Sequence, residues 1–425
     1  MTTSPPSAPG RRRRLGEFVA LGLLSTFGPI SLDLYLPALP ALADDLHTST
    51  SLAQLSITFC LFGLASGQLL AGSLSDRYGR RKPLIIGLIG YLLASLACAA
   101  APQIAVLLVL RLVQGVCGAS GLVISRAIAR DLHSGRAPVI FLSRLVLING
   151  LAPVLAPVIG GQLVRVMSWR GIFVVLAGFA VVLLVAGLFG VPETLPPERR
   201  HERDGRSNVV RRDGRSNVVR RGGSGMLLHG FTGPLKDPAF IGTVLAAGAA
   251  GASMFAYISG STFVLQRIFG LSPQGFSLAF AVNSIGIMAI GQLSGRLARR
   301  WPPSRLLGIG LGQNLVGALW LLVAIVTGLG LVAVLVGLFV MVSAIGMIFP
   351  SSAALAMANY PDRAGAASAL VGLGQYVCGG IAAPLVGIAG QSTATPLGVV
   401  AAAASVIGML VFLILVRRAG RPAVG

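Results

Sequence analysis

Long uncharged runs are the feature that most limits how this chain can fold. Apolar stretches of about twenty residues recur along it, and each is long enough to cross a hydrocarbon core as a helix. Short charged patches separate the runs, and charged residues make up only 11% of the chain. An open sheet is excluded because its edges would leave backbone groups unpaired in lipid. The sequence therefore predicts an all-α membrane protein.

We predict twelve transmembrane helices in two six-helix bundles. The predicted spans lie near 16–39, 52–74, 83–101, 104–125, 138–163, 170–191, 238–260, 274–295, 305–327, 330–352, 364–389 and 396–416. The longest polar stretch separates the first six spans from the last six. The chain therefore divides into two bundles joined by a linker, with a short tail at each end. The units are a tail at 1–14, a bundle at 15–191, a linker at 192–237, a bundle at 238–417 and a tail at 418–425.

The linker carries an exact tandem repeat, because residues 203–211 recur unchanged at 212–220. Its basic, glycine-rich composition predicts a disordered cytoplasmic segment. Contact of its basic residues with anionic lipid is the alternative.

The distribution of charge gives the orientation. The net charge of +21 would suggest a nucleic-acid partner in a soluble protein. Here 30 of the 34 Lys and Arg residues fall on one predicted side, three on the other, and Arg111 within a span. This asymmetry follows the positive-inside rule. Both termini are therefore expected in the cytoplasm, and no nucleic-acid partner is expected.

The first span has a second interpretation. Basic residues 11–14, an apolar run and the small residues at 41–43 are also typical of a cleaved signal peptide. Cleavage would leave eleven spans and put the termini on opposite sides, against the charge pattern. We therefore expect an uncleaved first helix.

Cysteine and histidine give no sign of a metal site. The four cysteines lie in different spans without ligand spacing, and the four histidines lie in or near loops. We expect no metal, no disulfide framework and no cofactor.

One charged loop has a recognisable pattern, with five charges within seven positions from Asp76 to Lys82. Its spacing resembles the loop between the second and third helices of the major facilitator superfamily, G-x-L-a-D-r-x-G-r-k-x-x-L. Ser75 and Arg81 depart mildly from that pattern. We interpret the loop as a gate whose charges pair in one access state and separate in the other. The gating residues are Gly72, Asp76, Arg77, Gly79 and Arg80.

The two halves contain similar sequence segments at corresponding places. Ala156-Pro157-Val-Ile-Gly160 recurs as Ala383-Pro384-Leu-Val-Gly387, and the charged loop has a degraded counterpart at 291–296. Internal repeats of this kind are typical of transporters that rock about a central site.

Asp33 is the only carboxylate predicted well inside a span. An ionised group there costs at least about 2.5 kcal/mol, so it usually faces a cavity or a partner. We interpret Asp33 as a group that exchanges a proton as access alternates; a structural hydrogen bond or a place near the outer interface is the alternative. Arg111 is the buried cation, in a segment that resembles the superfamily's R-x-x-Q-G-x-G. We interpret Arg111 as a permanently charged group that responds to the protonation of Asp33 or holds a water network. The alternative is a structural role in which Arg111 binds backbone carbonyls between helices.

The fifth span resembles an antiporter signature that ends in G-P-x-x-G-G. Its prolines bend the helix and its glycines allow close packing. The residues are Pro153, Pro157, Gly160 and Gly161, and Ala156 replaces the signature's first glycine.

Four segments look like those of the Bcr/CflA drug-resistance transporters, namely residues 33–40, 126–132, 151–161 and 254–263. The resemblance runs from about residue 16 to 417, excluding the linker and the termini. It implies export of drugs such as bicyclomycin or chloramphenicol in exchange for protons, from a multi-pass protein of the bacterial inner membrane. We expect a monomer. The axis-facing candidates for substrate binding are Tyr35, Asn149, Met254, Phe255, Tyr257 and Asn283.

Other functions remain as alternatives. The same fold and proton site would serve import or export of a metabolite, with a more polar pocket. A membrane sensor would show no substrate flux. No phosphate loop, zinc-binding helix or nucleophile elbow appears, so an enzyme is not expected.

Overall fold

The computed structural model of the protein describes residues 20–132, 151–190, 193–194, 237–360, 364–388, 390 and 393–417. Every regular element in this part of the chain is a helix, and the predicted all-α membrane fold is confirmed. We call residues 20–190 the N-terminal half and residues 237–417 the C-terminal half.

The N-terminal half begins with a broken helix. Residues 20–25 are helical and are followed by α1, a 3-10 turn at Leu36–Ala38 and the short α2. The bounds are α1 Phe27–Asp33, α2 Leu39–Asp45, α3 Thr50–Tyr78, α4 Arg81–Ala99, α5 Ile104–Leu132, α6 Leu151–Leu163 and α7 Trp169–Gly190.

The C-terminal half has the bounds α8 Pro238–Phe263, α9 Pro273–Leu297, α10 Pro303–Val326, α11 Leu331–Ser343, α12 Ile345–Asn359, α13 Ala364–Leu385 and α14 Thr395–Val411. Two helices continue as single π turns, α8 over Val264–Ile268 and α14 over Phe412–Val416.

Ten helices in the described residues are long and apolar enough to cross a membrane, with α11 and α12 counted as one. The broken first helix and the shorter α6 fall where the first and fifth spans are predicted. The count of twelve and the side of the termini stay predictions. The duplicated linker segment lies outside the described residues.

Two predicted spans are interrupted. The first was expected as one helix over 16–39, but α1 ends at Asp33, since Pro37 has no N–H to donate to the Asp33 carbonyl. The tenth breaks at Ala344, where two side-chain amides donate to carbonyls just before the break. Gln313 donates to Val340 at 3.1 Å and Asn314 donates to Met341 at 2.9 Å.

Helix starts follow local chemistry. Ser49 caps α3 by accepting from the Leu52 amide at 3.2 Å, and Ser272 caps α9 by accepting from the Gly275 amide at 3.1 Å. A proline stands in the first turn of α9. Amides in a first turn have no helical acceptor, so the missing N–H of proline costs no hydrogen bond there.

Small residues bring the helices together. In the N-terminal half, α3 and α5 touch backbone to backbone, because an ideal Cβ at Gly63 would lie 2.2 Å from the Leu112 oxygen. Glycine at this position therefore sets the distance between the two helices.

The two ends of the molecule are named by the charged loop. The inner face is the end that carries the charged loop at 76–82, and the outer face is the opposite end. The positive-inside rule predicts that the inner face lies on the cytoplasmic side, which stays a prediction.

Candidate functional site

Asp33 lies at the break between α1 and the 3-10 turn, where the chain leaves its helical path. The side chain is buried, with a relative exposure of 6%. No hydrogen bond or ion pair joins its carboxylate to any residue that the structure describes. The 3-10 turn that follows Asp33 touches α8 and α9 of the C-terminal half. Asp33 is therefore buried beside the contact between the halves.

Arg111 is fully buried in α5 and holds three segments of the N-terminal half together. It donates to the backbone carbonyl of Ser31 at 3.1 Å, to that of Ser56 at 3.4 Å and to the Gln114 amide oxygen at 2.5 Å. Its guanidinium also stacks 4.5 Å from the centre of the Tyr35 ring. These contacts fit the carbonyl-binding alternative. They reach Asp33 only through the backbone of Ser31, two residues earlier.

The pocket candidates separate into two groups. Tyr35 is fully buried inside the N-terminal half, where its hydroxyl lies 2.9 Å from Ser56. Tyr257 and Asn283 are buried in the C-terminal half, where Asn283 donates to the Tyr257 hydroxyl at 3.0 Å. Tyr257 also stacks on Phe280 with ring centres 5.3 Å apart.

Two further candidates precede Tyr257 on α8. Met254 is partly buried, and Phe255 is 5% exposed and packs on Tyr376 with ring centres 6.2 Å apart. Asn149 lies outside the described residues.

At the inner face, Arg80 ties the ends of α3 and α5 together. It donates to Asp76 at 2.6 Å, to Ser75 at 2.9 Å and to Asp131 at 3.0 Å. Partial burial lowers the pKa of Arg80, but its bonds to Asp131 and Asp76 outweigh this and raise that pKa above its ordinary value. These partners all belong to the N-terminal half. A bridge from Arg77 or Arg80 to the other half stays a prediction.

The remaining loop residues shape this corner. Gly79 has φ of 90°, a conformation that L side chains rarely adopt, and it ends α3. Gly72 lines a small cavity of about 300 Å³ together with Asp76 and Arg80.

Glu193 completes the same corner and was not predicted. Its carboxylate accepts from the backbone amides of Arg80 and Arg81 at 2.9 Å and 3.2 Å, at the start of α4. A carboxylate there is favoured by the unpaired amides and the helix dipole. Glu193 lies in the polar linker, far along the chain from α4, so no periodic pattern linked it to that helix. The one available signal was that Glu193 is a lone acidic residue just after a predicted span.

The antiporter segment packs directly on the Asp33 break. An ideal Cβ at Gly160 would lie 1.9 Å from the Leu34 carbonyl oxygen, so only glycine permits this approach. The Gly161 carbonyl accepts from Gln274 of the C-terminal half at 2.6 Å. Pro153 and Pro157 lie in the same helix, and the Pro153 carbonyl accepts from Ser284 at 3.1 Å.

Hydrogen bonds and an ion pair close the outer face between the halves. We call these contacts the outer seam. Gln54 donates to the Ser259 carbonyl at 3.2 Å, and Arg267 pairs with Asp44. The other pairs are Ser51 with Pro384, Thr58 with Gly380, Gln266 with Pro37, Arg267 with Pro40, Gln274 with Gly161 and Ser284 with Pro153. None of these side-chain donors was predicted from a sequence pattern.

Next to the seam, Asp45 accepts from Arg170 and from the Trp169 indole, and these hydrogen bonds lower the pKa of Asp45. The ion pair between Asp45 and Arg170 is exposed, and both residues belong to the N-terminal half.

One cavity lies away from Asp33. It measures about 760 Å³ and opens on the side of the C-terminal half, among α8, α10, α12 and α14, with Arg305 and Arg417 at its edge. We place the candidate site at Asp33 and Tyr257 because the buried acid and the contact between halves occur there. No group of three metal-ligating side chains occurs in the residues that the structure describes.

These features belong to a known class of membrane transporter. The family model of the Major Facilitator Superfamily matches residues 21–384, so the chain belongs to this family. The uncharacterized MFS-type transporter YdgK of Bacillus subtilis is 39% identical over 408 residues, which cover 95% of this chain and 96% of the relative. The bicyclomycin resistance protein homolog of Haemophilus influenzae is 28% identical over 400 residues, covering 94% of this chain and 96% of the relative.

A solved structure shows the same fold. It is a bacterial homolog to the human lysosomal transporter Spinster in an inward-facing and unoccupied conformation, with a TM-score of 0.74 at 16% identity. The match covers 98% of this chain and 100% of that chain.

The chain is therefore a multi-pass transporter of the bacterial inner membrane that takes a small-molecule substrate, and it is not an enzyme. Its resemblance to drug-resistance transporters is confirmed by relatives of that description.

Proposed function

We propose that this protein exports a small drug, of the bicyclomycin or chloramphenicol kind, in exchange for protons by alternating access. One observation carries the proposal. A buried carboxylate, Asp33, lies beside the contact between the halves with no hydrogen bond or ion pair in the part of the chain described. The drug-resistance relative supports the substrate class.

The proposed coupling follows from the cost of charge. An ionised carboxylate inside a membrane protein costs at least about 2.5 kcal/mol unless water or a partner compensates it. Asp33 belongs to the N-terminal half and Tyr257 to the C-terminal half. A change in the angle between the halves alters the surroundings of Asp33, so the proton is held while the site is dry and released when water reaches it.

The proposed substrate surface lies on α8 and α9. Met254 and Phe255 supply flexible and aromatic contact, and Tyr257 with Asn283 supplies a small polar patch beside Asp33. A mainly apolar surface with few polar groups suits apolar ligands of varied shape.

The proposed moving parts are the two six-helix bundles at 15–191 and 238–417. A monomer suffices because both sides of the site come from one chain. Asp33 is the only buried carboxylate among the residues that the structure describes. One proton per cycle is therefore expected. Exchange of one neutral drug for one proton would gain roughly 2.3 kcal/mol per 100 mV.

The test is drug flux in proteoliposomes with an imposed pH gradient, comparing wild type with Asp33→Asn. The matched control is Asp45→Asn, which makes the same chemical change at an exposed position on the outer face. We expect Asp33→Asn to abolish gradient-driven flux and retain drug counterflow, and Asp45→Asn to retain both.

Three outcomes would contradict the proposal. Equal gradient-driven flux in wild type and Asp33→Asn would remove Asp33 as the coupling group. Flux that ignores the gradient in wild type would remove antiport. Transport of polar metabolites without any transport of bicyclomycin or chloramphenicol would favour a metabolite transporter.

A further inference from the structure

Prolines occur at equivalent places in the two halves, Pro157 in α6 and Pro384 in α13. Both lie in the repeated Ala-Pro-x-x-Gly segments. Proline has no N–H, so it cannot donate to the carbonyl four residues earlier in its helix. The carbonyl oxygens of Pro153 and Gly380 therefore lack their usual helical partner.

Each of these carbonyls instead accepts a hydrogen bond from a hydroxyl of the opposite half. Thr58 in α3 donates to the Gly380 oxygen at 3.0 Å, and Ser284 in α9 donates to the Pro153 oxygen at 3.1 Å. Both hydroxyl-bearing residues are buried, with exposures of 3% and 4%. Ser284 also lies 3.0 Å from the Phe280 oxygen of its own helix, so its proton has a second acceptor when the halves separate.

The two contacts are related by the internal repeat. The prolines are 227 residues apart and the hydroxyl-bearing residues are 226 apart. The same pair of elements, a helix with a proline and a helix with a buried hydroxyl, therefore meets twice across the outer seam. A chance contact would not recur at the matching place of the second repeat.

We propose that Thr58 and Ser284 are paired positioning residues of the transport cycle. Each holds the outer face closed by donating to the carbonyl that a proline frees in the opposite half. The inference rests on the proposed alternating access. When the outer face opens, α3 parts from α13 and α9 parts from α6, and water takes the place of each hydroxyl.

Both hydrogen bonds involve residues that are next in the chain to residues in contact with the candidate site. Ser284 follows Asn283, which donates to Tyr257 at 3.0 Å. Gly380 follows Gly379, where an ideal Cβ would lie 2.1 Å from the Phe255 ring. A substrate that displaces either aromatic ring therefore moves a residue next to one of the two hydrogen bonds.

The experiment measures the distance across the outer face by pulsed electron paramagnetic resonance in nanodiscs, without drug or pH gradient. Spin labels are attached at Val166→Cys and Leu329→Cys, which are 78% and 54% exposed on opposite halves. The partly exposed Cys117 and Cys378 are replaced by alanine, while the buried cysteines stay.

Thr58→Val keeps the shape of the side chain and removes the donor, and Ser284→Ala does the same for its partner contact. We expect each change to raise the ratio of outward-open to outward-closed protein about tenfold, because a buried carbonyl is left unpaired in the closed state only. The double variant should show about the product of the two effects, since the contacts are separate.

The controls distinguish this role from general loss of packing. Thr58→Ser keeps the hydroxyl and should give the wild-type distances. Ser125→Ala removes a buried hydroxyl that bonds within its own helix, to the Leu122 oxygen at 3.2 Å, and should change nothing.

Unchanged distances in folded Thr58→Val and Ser284→Ala would overturn the inference, and so would an equal shift in Ser125→Ala. The distances need neither drug nor proton. A failure of proton-coupled export therefore shows only in the flux assay, and a failure of the positioning role shows only in the distances.

Discussion

Replacing Gly160 by alanine tests the contact between α6 and the segment that carries Asp33. The new Cβ would lie 1.9 Å from the Leu34 carbonyl oxygen and 2.9 Å from its carbon. Real Cβ atoms essentially never come within 3.0 Å of such an atom, so α6 and Leu34 must separate by about 1.1 Å. A backbone carbonyl has no rotamer with which to withdraw. The backbone itself must shift.

The expected magnitude comes from two opposing effects. Overpacking of this kind costs about 1–3 kcal/mol, and a backbone clash belongs at the upper end. Alanine in a helix gains up to about 1 kcal/mol over glycine. We therefore expect Gly160→Ala to lower the free energy of unfolding by about 2 kcal/mol. Gly178→Ala is the matched control, because a Cβ there meets nothing within 4 Å, and it should gain about 1 kcal/mol.

Thermal unfolding in detergent measures the difference. Cys60 and Cys98 are both 0% exposed and become reactive towards a thiol dye as the helices separate. The Tm of Gly160→Ala should fall several degrees below wild type, and that of Gly178→Ala should equal or exceed it. Gradient-driven flux should also fall in Gly160→Ala, because Leu34 follows Asp33 directly. Equal Tm values for the two alanine variants would refute the close approach.

Two further predictions follow from the C-terminal half and the outer seam. Asn314→Leu removes a buried amide that donates to the Met341 oxygen at 2.9 Å and accepts from Ser405 at 2.7 Å, so it should cost about 1–3 kcal/mol in the same assay. Wild-type stability in Asn314→Leu would show that the break at Ala344 needs no amide. Arg267→Gln removes an ion pair with Asp44 whose side chains are 37% and 56% exposed, so solvent screens it and its loss should cost about 0–1 kcal/mol. The distance assay should show a smaller shift than for Thr58→Val, and a larger one would contradict this ranking.

The helical spans could be predicted because the signal is local. A run of apolar residues fixes both the membrane crossing and its secondary structure, and the fold follows from these with the superfamily pattern. The break after Asp33 was also within reach of local reasoning, since Pro37 removes the donor to the Asp33 carbonyl.

Which side of a helix faces the axis could not be predicted in the same way. Tyr35 is two residues from Asp33, yet it is buried under Arg111 while Asp33 lies beside the contact between the halves. Tertiary packing decides between these orientations. Glu193 shows the same limit for contacts, because its partners at the start of α4 are more than a hundred residues away in the chain.

The repeated proline gives the outer seam two neutral hydrogen bonds, Thr58 with Gly380 and Ser284 with Pro153. A transporter needs both access states within a few kcal/mol of each other, because a larger gap leaves one of them unpopulated. Breaking a buried ion pair would cost about 3–5 kcal/mol, whereas a neutral hydrogen bond that water can replace contributes about 0.5–1.5 kcal/mol. Pro157 in α6 and Pro384 in α13 each leave a carbonyl without its helical donor, and either a hydroxyl or water satisfies that carbonyl. Duplicating this arrangement adds two weak contacts to the outer seam instead of one strong contact, so that neither one has to be strong enough to lock the outer face.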